Sequence, residues 1–248
     1  MSGHSKWSQI RRKKEKTDAA RGRLFTKLIK EITVAARQGG GDENSNARLR
    51  TAIQIARANN MPMVNIEKAI KKGTGELPGV IYEEVTYEGY GPKGIALLIE
   101  IVTDNKNRTV SDIRHILSKN NGSLGSVGSV SWMFDKKGII VVEDSSISED
   151  KLMEVVIEKG IEDIINDNGI FEIITPPEEL ENVKEALKEA NIKFTSADLT
   201  VVPKSFTRVE GKSAEQVLKL MESLEAHEDV QNVYSNFDID DEVIKNYK

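Results

Sequence analysis

Between Gly73 and Gly79 the chain changes character in two ways at once. Before this point apolar residues recur with the 3.6-residue period of amphipathic helices. After it, short runs rich in β-branched residues alternate with helical stretches. The charge changes sign at the same place. Residues 1–72 hold 17 Lys/Arg against 6 Asp/Glu, a net charge of +11, and residues 73–248 hold 18 against 34, a net of −16. The chain therefore divides into a basic head and an acidic body, and its 248 residues are enough for two or three separate cores.

Composition excludes several chemistries. There is no cysteine, so disulfides, thiolate metal sites and a cysteine nucleophile are ruled out. The 3 histidines, His4, His115 and His227, stand far apart in unlike contexts, and no metal-ligand spacing joins them. No cofactor and no metal site are expected. No apolar run approaches the roughly 18 residues that a membrane span needs, and the basic start has no apolar stretch after it to make a secretory signal. A cytoplasmic protein with no membrane partner is expected.

The positive charge is densest at the start. Residues 1–30 contain 10 Lys/Arg and only 2 acids, Glu15 and Asp18. Residues 5–19 have few apolar side chains beyond Trp7 and Ile10, too few to bury the segment, which reads as an arm. From Ala20 a helix follows, with Leu24, Phe25, Leu28, Ile29, Ile32, Ala35 and Ala36 on one face. Arg23, Lys27, Lys30 and Arg37 fall opposite, where Val34 is the one apolar residue. The apolar face packs and the basic face is expected to stay free. The candidate nucleic-acid contacts are Lys6, Trp7, Arg11, Arg12, Lys13, Lys14, Arg21, Arg23, Lys27 and Lys30. Lys and Arg would meet phosphate, which positions a ligand without reading its sequence. Trp7 either stacks on an unpaired base or anchors the arm to the head. Alternatively, head and body attract each other and neutralise internally.

The helix ends at Gly39-Gly40-Gly41, with Gly39 suited to the left-handed position after it. A second helix starts near Ser45 or Asn46, and a third starts after Pro62 and closes at Gly73. The head is thus a three-helix domain over residues 1–75. Strands follow over Val85–Tyr90 and Ile95–Thr103, the second uniformly apolar and so covered on both faces. A helix capped by Thr109 comes next, then a hydroxyl-rich loop (residues 123–129) and a strand Val130–Phe134. From Gly138 the order β-α-β-β-α-β marks a ferredoxin-like unit over residues 137–204. A final helix with a Ser213/Gln216 capping box and a strand Val230–Phe237 have no core of their own. The unit at 80–135 lacks one helix and one strand, so residues 206–248 are expected to return to it. The fold class is α+β, multidomain: three helices, then two α/β domains with antiparallel sheets, the ferredoxin-like one inserted into the other. A linear three-domain chain is the alternative.

Several blocks of residues resemble one family. Gly3-His4-Ser5-Lys6-Trp7, Phe25 to Ile32, Ala35-Ala36-Arg37, and Asn59-Asn60-Met61-Pro62 followed by Asn65-Ile66-Glu67 are similar to the YebC/PmpR family. So are Tyr87 to Pro92, Thr103-Asp104-Asn105 with Asn107-Arg108-Thr109, and Gly128 to Phe134. The resemblance implies a helical N-terminal domain with two α/β domains. It also implies a cytoplasmic gene-expression factor, described as a DNA-binding transcriptional regulator. Relatives that include the mitochondrial translational activator point instead to the ribosome, its RNA and the synthesis of proline-rich nascent chains. Glu43 and Ala47 stand where many relatives have proline, and Met63-Val64 where a Lys-Asp pair is common.

Three functions compete. The first is a non-enzymatic regulator that binds nucleic acid, DNA or ribosomal RNA, through the basic head. The second is an enzyme, for which Asp112 and His115, three apart on a helix, offer only a lone pair without a nucleophile. The third is a scaffold whose acidic ferredoxin-like insertion meets, through its sheet face or edge, a basic ribosomal protein or part of the transcription machinery. The first is taken as the expectation, with no enzymatic activity.

Overall fold

The computed structural model describes residues 18–143, 147–167 and 169–247. Three helices open it: α1 (Asp18–Gly39), α2 (Ala47–Ala58) and α3 (Met63–Thr74). They close over one apolar cluster built from Leu28, Ile32, Leu49, Ile53, Met61 and Ile66 with small alanines between them. Asn46 ties the corner. Its side chain caps α2 by accepting from the Leu49 N–H at 3.0 Å, and donates to the carbonyls of Ala35 (2.8 Å) and Gly40 (2.9 Å). The left-handed residue after α1 is Gly40, with φ at 85°, one place beyond the expected Gly39. Gly73 does not end α3. It lies inside the helix, where an added Cβ would come within 2.4 Å of the Thr33 carbonyl and 2.7 Å of the Ala36 Cβ on α1. Its missing side chain lets the two helices touch.

The body holds two four-stranded antiparallel sheets. The first combines β1 (Glu83–Tyr90), β2 (Ala96–Thr103), β3 (Ser123–Leu124) and β9 (Val230–Ser235) in the order β3-β1-β2-β9. Helix α4 (Lys106–Lys119) and helix α7 (Gly211–Glu225) cover one face. Strand β9 comes from the far end of the chain and pairs with the central β2, Leu98 opposite Tyr234. The second sheet combines β4 (Phe134–Val142), β5 (Asp163–Asp167), β6 (Ile170–Thr175) and β7 (Ser196–Pro203) in the order β5-β6-β4-β7, the ferredoxin-like arrangement. Its helices α5 (Glu149–Val156) and α6 (Leu180–Glu189) pack on the face formed by Ile140, Val142, Phe171 and Ile173. A two-strand parallel ribbon, β8 (Thr207–Arg208) with β10 (Phe237–Asp238), and helix α8 (Asp241–Asn246) complete the described chain.

Strand β2 is buried on both sides, and the reason is visible in its alternation. Ile95, Leu97, Ile99 and Ile101 face the helices, while Ala96 and Leu98, with Tyr234 of the neighbouring β9, meet Val130, Phe134 and Val201 on the other face. That second cluster accounts for three differences from expectation. Residues 130–134 are not one strand of the first sheet. Ser131–Met133 form a 3₁₀ turn, Val130 is apolar because it fills the contact between the sheets, and Phe134 opens β4 by pairing with Pro203. The first sheet takes its edge strand β3 from the hydroxyl-rich loop instead. Two caps also move. Asn105, not Thr109, caps α4 by accepting from the Arg108 N–H at 3.0 Å, which frees Thr109 to turn its hydroxyl inward. Helix α7 begins at Gly211, so Ser213 lies inside it and makes no capping box.

Candidate nucleic-acid interface

Helix α1 carries the described part of the expected contact set. Arg21 and Arg23 lie exposed in its first turns, with no ion pair among the described residues. Lys6, Trp7, Arg11, Arg12, Lys13 and Lys14 lie outside the described residues. Lys27 and Lys30 are brought somewhere else than open solvent. The Lys27 ammonium donates to the Glu225 carbonyl at 2.6 Å. The Lys30 ammonium donates to the Glu228 carbonyl at 3.0 Å and forms an ion pair with Asp229 in which both side chains are buried. It also lies 5.8 Å from the ring centre of Tyr82. The face expected to stay free is thus corrected over this stretch: it docks the head on the turn between α7 and β9. Val34, buried on the same stripe, was the signal in the sequence that this face is covered.

Asp229 is fully buried and surrounded by donors. Besides Lys30 it accepts from the Thr109 hydroxyl at 2.7 Å, Arg108 Nη2 at 2.8 Å and the Thr103 hydroxyl at 3.2 Å. Its own backbone N–H donates to His227 Nδ1 at 3.1 Å. Burial pushes the carboxyl pKa up, but the donors from Lys30, Thr109 and Arg108 outweigh it and hold the group well below the usual carboxylate range. Asp112 does not turn to His115. Its carboxylate lies 3.4 Å from His227 Nε2, on the rim of the same turn.

A second junction ties α2 to β1. Arg48 donates from Nε to Glu31 at 2.7 Å and from Nη2 to Glu84 at 2.6 Å, and Gln38 adds a bond to Glu84 at 2.5 Å. The bonds to Glu31 and Glu84 raise the guanidinium pKa further, and the Arg48 bond lowers that of Glu84. Head and first sheet are joined at two places by charge of opposite sign, the internal attraction that the charge division of the sequence allowed. The cations that remain exposed on the head include Arg37 and, on α3, Lys68, Lys71 and Lys72, which were outside the expected set. Their i, i+3 and i+4 spacing puts them on one side of that helix.

Among the described residues no helix is long and apolar enough to cross a membrane, and no group of three or more His, Asp or Glu side chains is placed to hold a metal ion.

Comparison with known proteins places the chain. Residues 5–76 match a family model described as the TACO1/YebC protein N-terminal domain, and residues 82–237 match one described as the TACO1/YebC second and third domain. A protein of Desulfotalea psychrophila named as a probable transcriptional regulatory protein is 56% identical over 246 residues, covering 99% of this chain and 98% of its own. One of Chlorobium luteolum with the same description is 58% identical over 240 residues, 96% of each chain. A crystal structure titled as a conserved hypothetical protein of Aquifex aeolicus superposes with a TM-score of 0.78 at 47% identity, covering 90% of this chain and 92% of that one. The Desulfotalea and Chlorobium relatives carry regulatory names and not enzymatic ones. The chain belongs to the TACO1/YebC family.

Proposed function

We propose that the protein is a non-enzymatic, cytoplasmic regulator of gene expression that binds duplex DNA through its basic head. One observation carries the reading. Arg21 and Arg23 are exposed where α1 begins, directly after a sequence that holds Lys6, Arg11, Arg12, Lys13 and Lys14, while the net-acidic body disfavours phosphate. The transcriptional description of the relatives tilts the polyanion toward DNA. Lys27 and Lys30 leave the contact set, because their ammonium groups are taken up by the body, and hold α1 against the turn before β9 instead. Trp7 supplies a ring for stacking on an unpaired base.

Anisotropy titrations of the full chain on a labelled DNA duplex and a labelled RNA hairpin, each across a salt series, test this. With about six phosphates neutralised, log affinity falls against log salt with a slope near −5 on duplex DNA. Replacing Arg11, Arg12, Lys13 and Lys14 by serine reduces that slope by about 3 to 4. A slope near zero, or an arm variant that binds as before, overturns the reading. Tighter binding to the hairpin than to the duplex at matched salt moves the target to structured RNA.

A further inference from the structure

One helix of the acidic body turns an acid-free face outward. Helix α4 buries Ile113 and Leu117 in the core under the first sheet. At about 100° per residue, Asn107, Ser111, Arg114, His115, Ser118 and Lys119 fall on the opposite side, and all six are exposed. Each has a polar hydrogen-bonding group and none is an acid. Asp112, the one acid of α4, stands at the edge of this face, 3.4 Å from His227 Nε2. The cations of the helix divide into two groups. Lys106 pairs with Glu83 at 2.5 Å, and Arg108 with Asp104 at 2.9 Å and Asp229 at 2.8 Å. Arg114 and Lys119 form no ion pair among the described residues. Lys119, in the last turn, complements the negative end of the helix dipole. Arg114, in the middle of the helix, has no such role. Residues 73–248 hold 34 acids against 18 cations, and against that background a stripe without acids is a local patch of positive potential.

The helix also lies where it can share a ligand with the head. Arg108 and Lys30 donate to the two oxygens of one carboxylate, Asp229 Oδ2 and Oδ1, so α4 and α1 meet at that residue. At 1.5 Å per residue, Arg114 and Lys119 stand about 9 and 17 Å along α4 from Arg108, and Arg23 and Arg21 about 10 and 14 Å along α1 from Lys30. Both sets are within reach of one 20-base-pair duplex, roughly 68 Å long. The chemistry of the face selects the ligand. Helix α4 exposes no large apolar side chain, so a polypeptide finds no anchor on it. A phosphodiester backbone offers acceptors at regular intervals and takes cations and neutral donors alike. We propose that the outer face of α4 is a second phosphate-contact site, through which duplex DNA held by the head also meets the body. This rests on the reading of the head as the DNA contact. Arg114 and Lys119 neutralise phosphates, and Asn107, His115 and Ser118 donate to backbone oxygens. Ser111 stays out of the contact, because its hydroxyl donates to the Asn107 carbonyl at 2.9 Å.

The test uses the full chain, a labelled 20-base-pair duplex and a labelled RNA hairpin, with anisotropy across a salt series as the readout. Arg114→Ser with Lys119→Ser flattens the slope of log affinity against log salt on the duplex by about 2 and weakens binding at low salt at least tenfold. Lys151→Ser with Lys188→Ser removes the same charge from exposed positions on α5 and α6 and leaves the slope as in the parent. The thermal midpoint checks that the variants fold. Ser118→Glu leaves the buried side of α4 untouched, adds an acid to the face, and weakens the duplex about tenfold by a separate route. A parent slope near zero removes the reading of the head and this proposal together. A parent slope near −5 with an unchanged α4 variant overturns this proposal alone. Equal flattening by the Lys151/Lys188 pair overturns it too, since the effect is then one of net charge. Loss confined to the hairpin overturns the assignment to duplex DNA.

Discussion

Lys30 on α1 and Asp229 in the turn before β9, 199 residues apart in sequence, form an ion pair from which water is excluded on both sides. The pair joins the basic head to the acidic body. Removing the Asp229 charge leaves the buried Lys30 ammonium with only the Glu228 carbonyl and the Tyr82 ring, at a cost toward the lower end of the about 3 to 5 kcal/mol of a broken buried pair. Asp229→Asn therefore loosens the head more than it disturbs either sheet, since the side chain keeps its shape. Limited proteolysis between residues 75 and 82 should quicken by at least tenfold, and the radius of gyration should rise. Unchanged cleavage and an unchanged radius would show that the Arg48–Glu84 junction alone holds the head.

Acid should release the same contact. The folded-state pKa of Asp229 lies below its unfolded value of about 3.9. A depressed carboxylate contributes stability that is fully present above the unfolded pKa and is lost as pH falls through the folded one. Glu84, lowered by its bond to Arg48, acts in the same direction. Head release followed by scattering should thus be absent from pH 7 to about pH 5 and set in below about pH 4. In Asp229→Asn the remaining acid dependence should be visibly shallower. A release midpoint above pH 5 would mean that a different group controls docking.

How much of this was legible in the sequence follows from which interactions are local. The three helices, the uniformly apolar β2 and the ferredoxin-like order are written in periodicities that the chain repeats. The apolar residues of Ile95–Ile101 already required cover on two sides. What could not be read was which partner a side chain meets across a long separation. Lys30 and Val34 share a stripe of α1, and only the position of Asp229 decides that the lysine is buried rather than offered to solvent. Thr109 has the local look of a helix cap, yet a buried carboxylate 120 residues away takes its hydroxyl. Val130 reads as strand because inter-sheet packing and strand pairing ask for the same side chains. The Ser129 carbonyl likewise accepts from the Tyr90 hydroxyl and Trp132 Nε1, on rings that the sequence alone cannot orient.

Gly73 gives a prediction about packing. A methyl group there would stand 2.4 Å from the Thr33 carbonyl, an atom of helical backbone that cannot turn aside. Alanine raises helix propensity by about 1 kcal/mol, but forcing α1 and α3 apart costs about 1 to 3 kcal/mol and disturbs the cluster around Ile66 and Ile32. Gly73→Ala should lower the urea midpoint of the head. A raised midpoint would show that the helices separate without penalty.

Glu88 gives one about local order. Each of its bonds to Gly128, Val130 and Ser131 pairs a charged acceptor with a backbone donor, the class that contributes about 1.5 to 3 kcal/mol. Glu88→Gln keeps the size and removes the charge, so at most part of that contribution survives. Amide hydrogen exchange at these three residues should speed up about thirtyfold, equivalent to about 2 kcal/mol of lost protection, while the amides of β2 keep their rates. Equal protection in the variant would mean that the loop is held by Tyr90 and Trp132 instead.

The basic residues of α1 should separate into two classes by salt dependence. Arg21 and Arg23 are exposed, and each phosphate contact they make contributes about −0.9 to the slope of log affinity against log salt on duplex DNA. Arg21→Ser with Arg23→Ser should therefore weaken binding and flatten the slope by about 2, leaving the proteolysis of the 75–82 linker unchanged. Lys27→Ala removes a donor whose hydrogen bond goes to the Glu225 carbonyl at 2.6 Å. That change should leave the slope within about 0.3 of the parent and act on linker proteolysis instead. If Lys27→Ala flattens the slope by a full contact, the ammonium leaves the body to meet phosphate, and docking of the head and binding of nucleic acid exclude each other at that residue.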